Sequence, residues 1–509
     1  MRRVLWVWLR RGLKFLLFAV VVVVTLLVLA GSVISYQGRR EWDATKRELL
    51  AKGEKLSLVE LAPPPIPDEM NFFADPIWEE IVVKPGKLEN GVRHSGEPVV
   101  PLDKQQLGIL KRLLPKEEVE ALKKKYPQFA DKLGLSSTPT EGTLSLWQKT
   151  KDHDEAWRHE LADLTLAMLK PAEPLMDRTL ELLRRPAARF PTDYEAGVFA
   201  NQPHVGMLLT LGQVFLQRSR AELQLGQSGL ARRDVLAILG LSHTVRADVF
   251  LISYLVRCSL VGMATKVVEE GVAAHRWSEE DLVVLERAFG DEDLLPGLVR
   301  SLRGERGGFN MLMEKMRSDG GGLAAMMITS DAGPQQPGWV FRAEAWTYLA
   351  IFGSSEQAYY NEVFQHQIDA LKGWEGATTQ SDEFEAQRAA SGWFKYTHIL
   401  TTLALPAVHS VFNRAALTQT HIVQARIACA LERYYLAHLE YPQTLEALVP
   451  EDLSAVPVDI VNGEPMHFER AAAGAFRLWS IGVDGKDDKG VPAKRTELQR
   501  GDWVWGATP

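Results

Sequence analysis

"NQPHVGMLLTLGQVFLQRSRAELQLG", Asn201 to Gly226, decides the fold class. Its apolar residues return every three or four positions, the period of a helix that buries one face. The same spacing fills "SLWQKTKDHDEAWRHELADLTLAMLK" (145–170) before it and "SGLARRDVLAILGLSHTVRADVFLISYLVRCSLVGMATKVVEEGVAAH" (228–275) after it. Breaks at Gly226, Gly240, Gly271 and Gly290 predict antiparallel hairpins, and Ser278 followed by three acids marks a helix start. Residues 91–415 therefore read as an irregular α-helical hairpin array. Two glycine-rich runs, "RSDGGGLAAMM" (317–327) and "SDAGPQQPGW" (330–339), are expected as surface loops. Helix resumes after them with a core stripe of Trp346, Tyr348, Phe352, Tyr359, Tyr360 and Phe364.

Towards the N-terminus, "FLLFAVVVVVTLLVLAGSVI" (Phe15–Ile34) carries no charge and is long enough to cross a bilayer. Arg2, Arg3, Arg10, Arg11 and Lys14 precede it, so the flank should stay cytoplasmic and the bulk of the chain should lie extracytoplasmic, at an inner membrane. A signal peptide cleaved after Val28-x-Ala30 is the competing reading, but such peptides have apolar runs of about 7–15 residues. Residues 1–36 are thus the basic flank and transmembrane helix, contacting the membrane through residues 15–34. Residues 37–90 read as a stalk: a charged helix from Glu41 to Lys52, then Pro63, Pro64, Pro65 and Pro67 forcing extended chain. Asn71, Phe72, Phe73 and Trp78 should dock the stalk on the folded body.

The chain has 509 residues, is 46% hydrophobic and carries a net charge of −7 without a strongly basic domain, which argues against nucleic acid as a partner. Cys258 and Cys429 sit among apolar residues and support neither a disulfide framework nor a cysteine zinc site. No phosphate-cradling or dinucleotide glycine motif occurs, and "GQSGL" around Ser228 lacks the last glycine of a nucleophile elbow. His153 and His159 stand six apart, off the spacing of a helical zinc pair. His204, His243, His275, His366 and His398 are isolated and read as surface or satisfied core histidines. No catalytic residue, small-molecule ligand or cofactor other than a cation is read.

From residue 416 the pattern changes to a small α+β module, 416–509. "ALTQTHIVQARIACALERYYLAHLEYPQTLEALVP" (416–450) is an amphipathic helix stopping before Pro442. "HFERAAAGAFRLWSIG" (467–482) alternates like two strands around a tight turn, and "GDWVW" (501–505) supplies another. Between them, Asp484, Asp487 and Asp488 crowd a loop with Gly482 and Gly485. Such acids need solvent, a basic neighbour or a cation to offset their repulsion. The spacing does not fit an EF-hand.

Two resemblances follow. Ala221-x4-Gly226-x4-Ala231 looks like the small-residue contact of a tetratricopeptide-type hairpin, although no constant repeat accompanies it. The last ninety or so residues resemble major pseudopilins, the G-type proteins of type II secretion systems. The matching features are the helix into "YYLAHLEYPQTLEALVP", the segment with Pro457, Asp459, Gly463, Pro465 and Phe468, the loop Ser480, Gly482, Asp484, Gly485, and a terminal Asp502–Trp505. The resemblance implies a structural calcium held by Asp484, Asp502 and either Asp487 or Asp488, completed by carbonyls near Leu478 or Ile481. The chain departs from that family in lacking its glycine–phenylalanine cleavage site and the glutamate in the apolar helix. The expectation is a single-pass, non-catalytic envelope scaffold with protein partners. An envelope enzyme using His153, Glu155 and His159 is the alternative, and a minor pseudopilus component a narrower third reading.

Overall fold

A computed structural model describes residues 2–78, 88–89, 92–93, 116–132, 146–147, 150, 153–319, 339–374, 397–471, 474–494 and 500–506. The fold is mainly helical. Helix α1 (Arg2–Ala51) runs without a break from the basic flank through the apolar stretch and the charged segment beyond it. It is long and apolar enough to cross a membrane, as an anchor or a signal sequence would be. The separate stalk helix expected from Glu41 to Lys52 is the last part of α1, because nothing between Ile34 and Glu41 breaks a helix except Gly38, and Gly38 is used for packing.

That packing is against α11 (Trp339–Ala370). From Gly31 onward the buried or half-buried residues of α1 are Gly31, Ser35, Gly38, Trp42, Thr45 and Leu49, alternating four- and three-residue steps as in a two-helix seam. Ser35 Oγ donates to the Ala350 carbonyl at 2.7 Å, Thr45 Oγ1 to Glu362 at 3.1 Å, and Ser355 Oγ to Glu41 at 3.3 Å. A Cβ at Gly38 would lie 3.0 Å from the Ser355 backbone nitrogen, so only glycine lets the helices approach this closely. Residues 37–51 are therefore bound to the body along their length rather than holding it off the membrane. After the short α2 (Leu58–Leu61), the proline segment is extended, and Phe72, Phe73 and Trp78 are buried where the chain docks beside Ala187.

The body follows as hairpins. A two-residue antiparallel pair, β1 (Leu88–Glu89) and β2 (Val92–Arg93), and α3 (Lys116–Lys125) precede it. Then come α4 (Glu155–Leu169), α5 (Glu173–Leu182), α6 (Pro203–Gln224), α7 (Ser228–His243), α8 (Leu251–Ala273), α9 (Glu279–Gly290) and α10 (Leu295–Ser318). Gly226, at φ +74°, turns α6 into α7, with Ala221 and Ala231 fully buried between them. Ser278 caps α9 in a capping box with Asp281. Two of the expected breaks differ: Gly240 lies inside α7 and Gly271 inside α8, each small because Leu183 or Trp277 packs over it. Helix α8 also passes the length and hydropathy test for a membrane span, but it is the buried centre of the body. The expected loop at 317–327 is described only as far as Asp319, and that at 330–339 only at Trp339; the rest lies outside the described residues.

Helix α12 (Ile399–His438) is one continuous helix, so the division drawn at 415/416 falls within it. Its flanks pack on α8 and α9, and its C-terminal part carries the sheet. Strands β3 (His467–Ala471), β4 (Ala475–Ser480) and β5 (Trp503–Val504) form an antiparallel sheet in that order, with His467 opposite Trp479 and Ser480 opposite Trp503. The alternating sequence predicts this much of the α+β arrangement.

Candidate functional site

Where α8 ends, the chain must turn towards α9. Glycine usually serves there; His275 takes the left-handed conformation instead, at φ 50°, which costs a β-carbon residue about 1–2 kcal/mol. The turn aims its ring at α12. His275 Nδ1 lies 2.8 Å from Glu432 Oε1, and the ring stacks on Tyr435 at 4.3 Å. Glu432, fully buried, also accepts the Tyr441 hydroxyl at 2.7 Å. Burial, together with the Glu432 charge, pushes the Tyr441 phenol well above its usual range.

This histidine lines a cleft of about 670 Å³ between the helical body and the C-terminal sheet. Trp147, Phe476 and Trp505 supply apolar wall, while ion pairs supply the rest. Arg220 holds Glu270 through two bonds of 2.7 and 2.6 Å, and Lys266 donates to Glu269 at 2.6 Å. Arg276 reaches the Gln224 carbonyl at 3.1 Å and also pairs with Glu155. A carboxylate fixing one ring nitrogen of histidine leaves the other directed elsewhere, the arrangement used for proton transfer. Among the described lining residues there is no serine or cysteine to act as nucleophile, and the hydroxyls are those of Thr150 and Tyr441.

The expected trio is not assembled. His153, Glu155 and His159 are all exposed on the start of α4, His153 stacked on Trp157 at 3.8 Å and Glu155 joined to Arg276 and Gln224. None of the three lines the cleft, although Glu155 is bonded to Arg276 and Gln224, which do, and this corrects the reading that the trio lines one. Three of the five isolated histidines instead meet acids from distant elements: His204 with Asp248 at 3.0 Å, His243 with Glu292, and His275 with Glu432.

Three of the four acids of the C-terminal loop, Asp484, Asp487 and Asp502, accept backbone amides. Asp502 is fully buried and accepts Gly490 N at 2.6 Å and Asp488 N at 3.2 Å. Asp487 accepts Lys489 N at 2.9 Å and the Trp479 indole at 3.1 Å; Asp484 accepts Lys486 N at 3.2 Å and Gly501 N at 3.4 Å. Burial, with the nearby Asp487 and Asp488 charges, raises the Asp502 carboxyl, whereas the Trp479 and Lys489 donors lower that of Asp487. Among the described residues no group of three or more His, Cys, Asp or Glu side chains is placed to hold a metal ion. As arranged, these carboxylates do not fit a shared calcium.

Other motif residues knit the module. Asp459, buried, accepts Ile481 N at 3.2 Å and Val461 N at 3.0 Å, tying the Pro457–Phe468 segment to the end of β4. Gly482, at φ +66°, packs so closely that a Cβ would stand 2.6 Å from the Gly501 carbonyl oxygen. On α12, Gln424 donates to the Trp503 carbonyl at 2.6 Å. No protein-family model, curated protein or solved structure matches the chain.

Proposed function

We propose that the chain is a single-pass envelope protein, anchored in the inner membrane with its N-terminus cytoplasmic, whose extracytoplasmic body serves as a non-catalytic scaffold for protein partners. The observation that carries this reading is the continuity of α1. Val28 to Gly31 are helical, and the helix goes on to bind α11 through Ser35, Gly38 and Thr45. A peptidase takes its substrate extended, so a continuous helix across the candidate cleavage site favours retention over cleavage. In this reading the C-terminal module is pseudopilin-like in build, supported by the order and bonding of Asp459, Ser480, Gly482 and Asp502. Its helix is covered by α8 and α9 on one side and by the sheet on the other, which counts against a subunit of a pilus-like polymer.

The test is alkaline extraction of membranes carrying the full chain, followed by N-terminal sequencing and external protease on spheroplasts. The reading expects an intact chain that resists extraction and a body cut only from outside. A chain released by alkali, or one beginning near Gly31, overturns the anchor. The alternative, an envelope enzyme, is favoured by one observation, the His275–Glu432 pair facing the cleft. Loss of biological function in His275→Asn at an unchanged unfolding midpoint would move the reading to that alternative.

A further inference from the structure

Among the described residues, helix α11 extends past the end of α10 and the start of α12, with Ala345 buried in the extending turns. Its partner α10 ends beside Gly353, where Arg317 donates to the Gly353 carbonyl at 3.0 Å. Helix α12 begins beside Tyr348, whose hydroxyl accepts Ile399 N at 2.9 Å. The turns of α11 before these points carry Trp339, Phe341 and Trp346, exposed by 81%, 52% and 55%. Exposed tryptophans in such number need a partner of their own.

The direction of the α1–α11 seam says where these turns lie. Partners lie a near-constant 315, 317 and 314 positions apart, at Ser35–Ala350, Thr45–Glu362 and Glu41–Ser355, so the two helices run parallel. The apolar run of α1 ends at Ile34, just past the first seam residue, Gly31, which packs on Ile351. Trp346 and Trp339 precede Ile351 by five and twelve positions, about 8 and 18 Å along a helix towards the membrane side. Leu27 and Val28 remain exposed by 67% and 62%, so α11 does not cover these residues of α1. Arg342 and Glu344 lie among the aromatics and keep this segment shallow, since charges at the bilayer centre are costly. Tryptophan with flanking charge is the composition of a membrane interface.

We infer that the first turns of α11 form a second membrane contact, an interfacial aromatic foot that seats Trp339, Phe341 and Trp346 in the headgroup region of the leaflet the anchor leaves. The inference rests on the reading of α1 as an anchor. With the anchor, it fixes the body at two points and so sets its orientation.

The test uses the full chain in phosphatidylcholine–phosphatidylglycerol vesicles, labelled with an environment-sensitive maleimide at single introduced cysteines. Cys258 and Cys429 are buried and should not react in the folded protein. Trp339→Cys and Trp346→Cys report the foot, and Val24→Cys reports the span. Leu439→Cys, exposed at the far end of α12 from Tyr348, reports the distal body. Lipids carrying a nitroxide near the headgroup should remove emission at 339, 346 and not at 439, while deep nitroxides quench 24. Quenching at 24 without quenching at 339 and 346 overturns the foot and leaves the anchor. Protection of 339 and 346 with cross-linking between copies assigns the face to a second copy and overturns it too. No quenching at 24 overturns the anchor reading itself.

Discussion

The helical body and the C-terminal loop solve the same problem in opposite ways. Both bury carboxylates. In the body, Glu54 is met by Arg303 at 2.8 Å and Arg306 at 2.6 Å, Asp234 by Arg218 at 2.5 Å, and Glu292 by Arg257 at 2.8 Å. In the C-terminal module, the buried Asp459 and Asp502 are met by backbone amides. Asp234 lies within α7, whose N–H groups beyond the first turn are spent on the helix, and Glu54 and Glu292 lie in the short links after α1 and α9. Each of the three takes its cation from another element. An irregular loop has amides to spare, so its acids can be satisfied locally, without a cation. Buried acids are therefore long-range fasteners in one region and turn-formers in the other.

The largest effect that would break this contrast is at Glu54. Removing it leaves Arg306, fully buried, without its carboxylate, and Glu54→Ala should cost about 3–5 kcal/mol in denaturant unfolding. A cost near that of an exposed substitution would contradict the fastener role. In the loop, Asp502→Ala strands two amides and should cost about 1–3 kcal/mol, whereas Asp484→Ala, in a more exposed turn, should stay within about 0.5 kcal/mol.

Titration sharpens the comparison within the body. Burial alone would raise Glu54, but hydrogen bonds from Arg303 and Arg306 hold it down at about 2. Its contribution is present above the ordinary carboxylate value near 4.5 and fades as pH falls towards 2. Glu222 runs the other way: burial, then the charge of Asp234, pushes it up to about 8 despite Arg218 and Arg233 nearby. A raised carboxyl binds its proton more tightly folded than unfolded, so this group weakens the fold as pH climbs from 4.5 to 8. Glu222→Gln should accordingly raise the unfolding midpoint more at pH 8 than at pH 5. An equal or opposite change at the two values would contradict that account. The smallest expected effect is that of calcium. The amide-bound arrangement predicts an unfolding midpoint unmoved by saturating calcium, and a rise abolished in Asp484→Ala and Asp502→Ala would restore the shared ion that the pseudopilin resemblance implies.

The contrast also explains what could be read from the chain alone. The strands, the Asp459 segment and the acidic loop were legible because their partners lie within a few tens of residues and follow turn chemistry. The α6–α7 hairpin was legible for the same reason, through Ala221, Gly226 and Ala231. The cleft was not. His275 and Glu432 are 157 positions apart, and no periodicity or motif links them; the only local signal is a histidine where a helix end favours glycine. The union of α1 with α11 was hidden likewise, since Gly31, Ser35, Gly38 and Thr45 name a seam without naming its partner.

That union is the centre of the account, because it makes anchor and body one piece. Thr45→Cys with Glu362→Cys in the full chain, oxidised in native membranes and read by mass spectrometry of the joined peptides, tests it directly. The account predicts a disulfide within one copy, in chains that still carry the apolar N-terminal segment. Failure of the pair to join, or joining only in chains that have lost that segment, would contradict it.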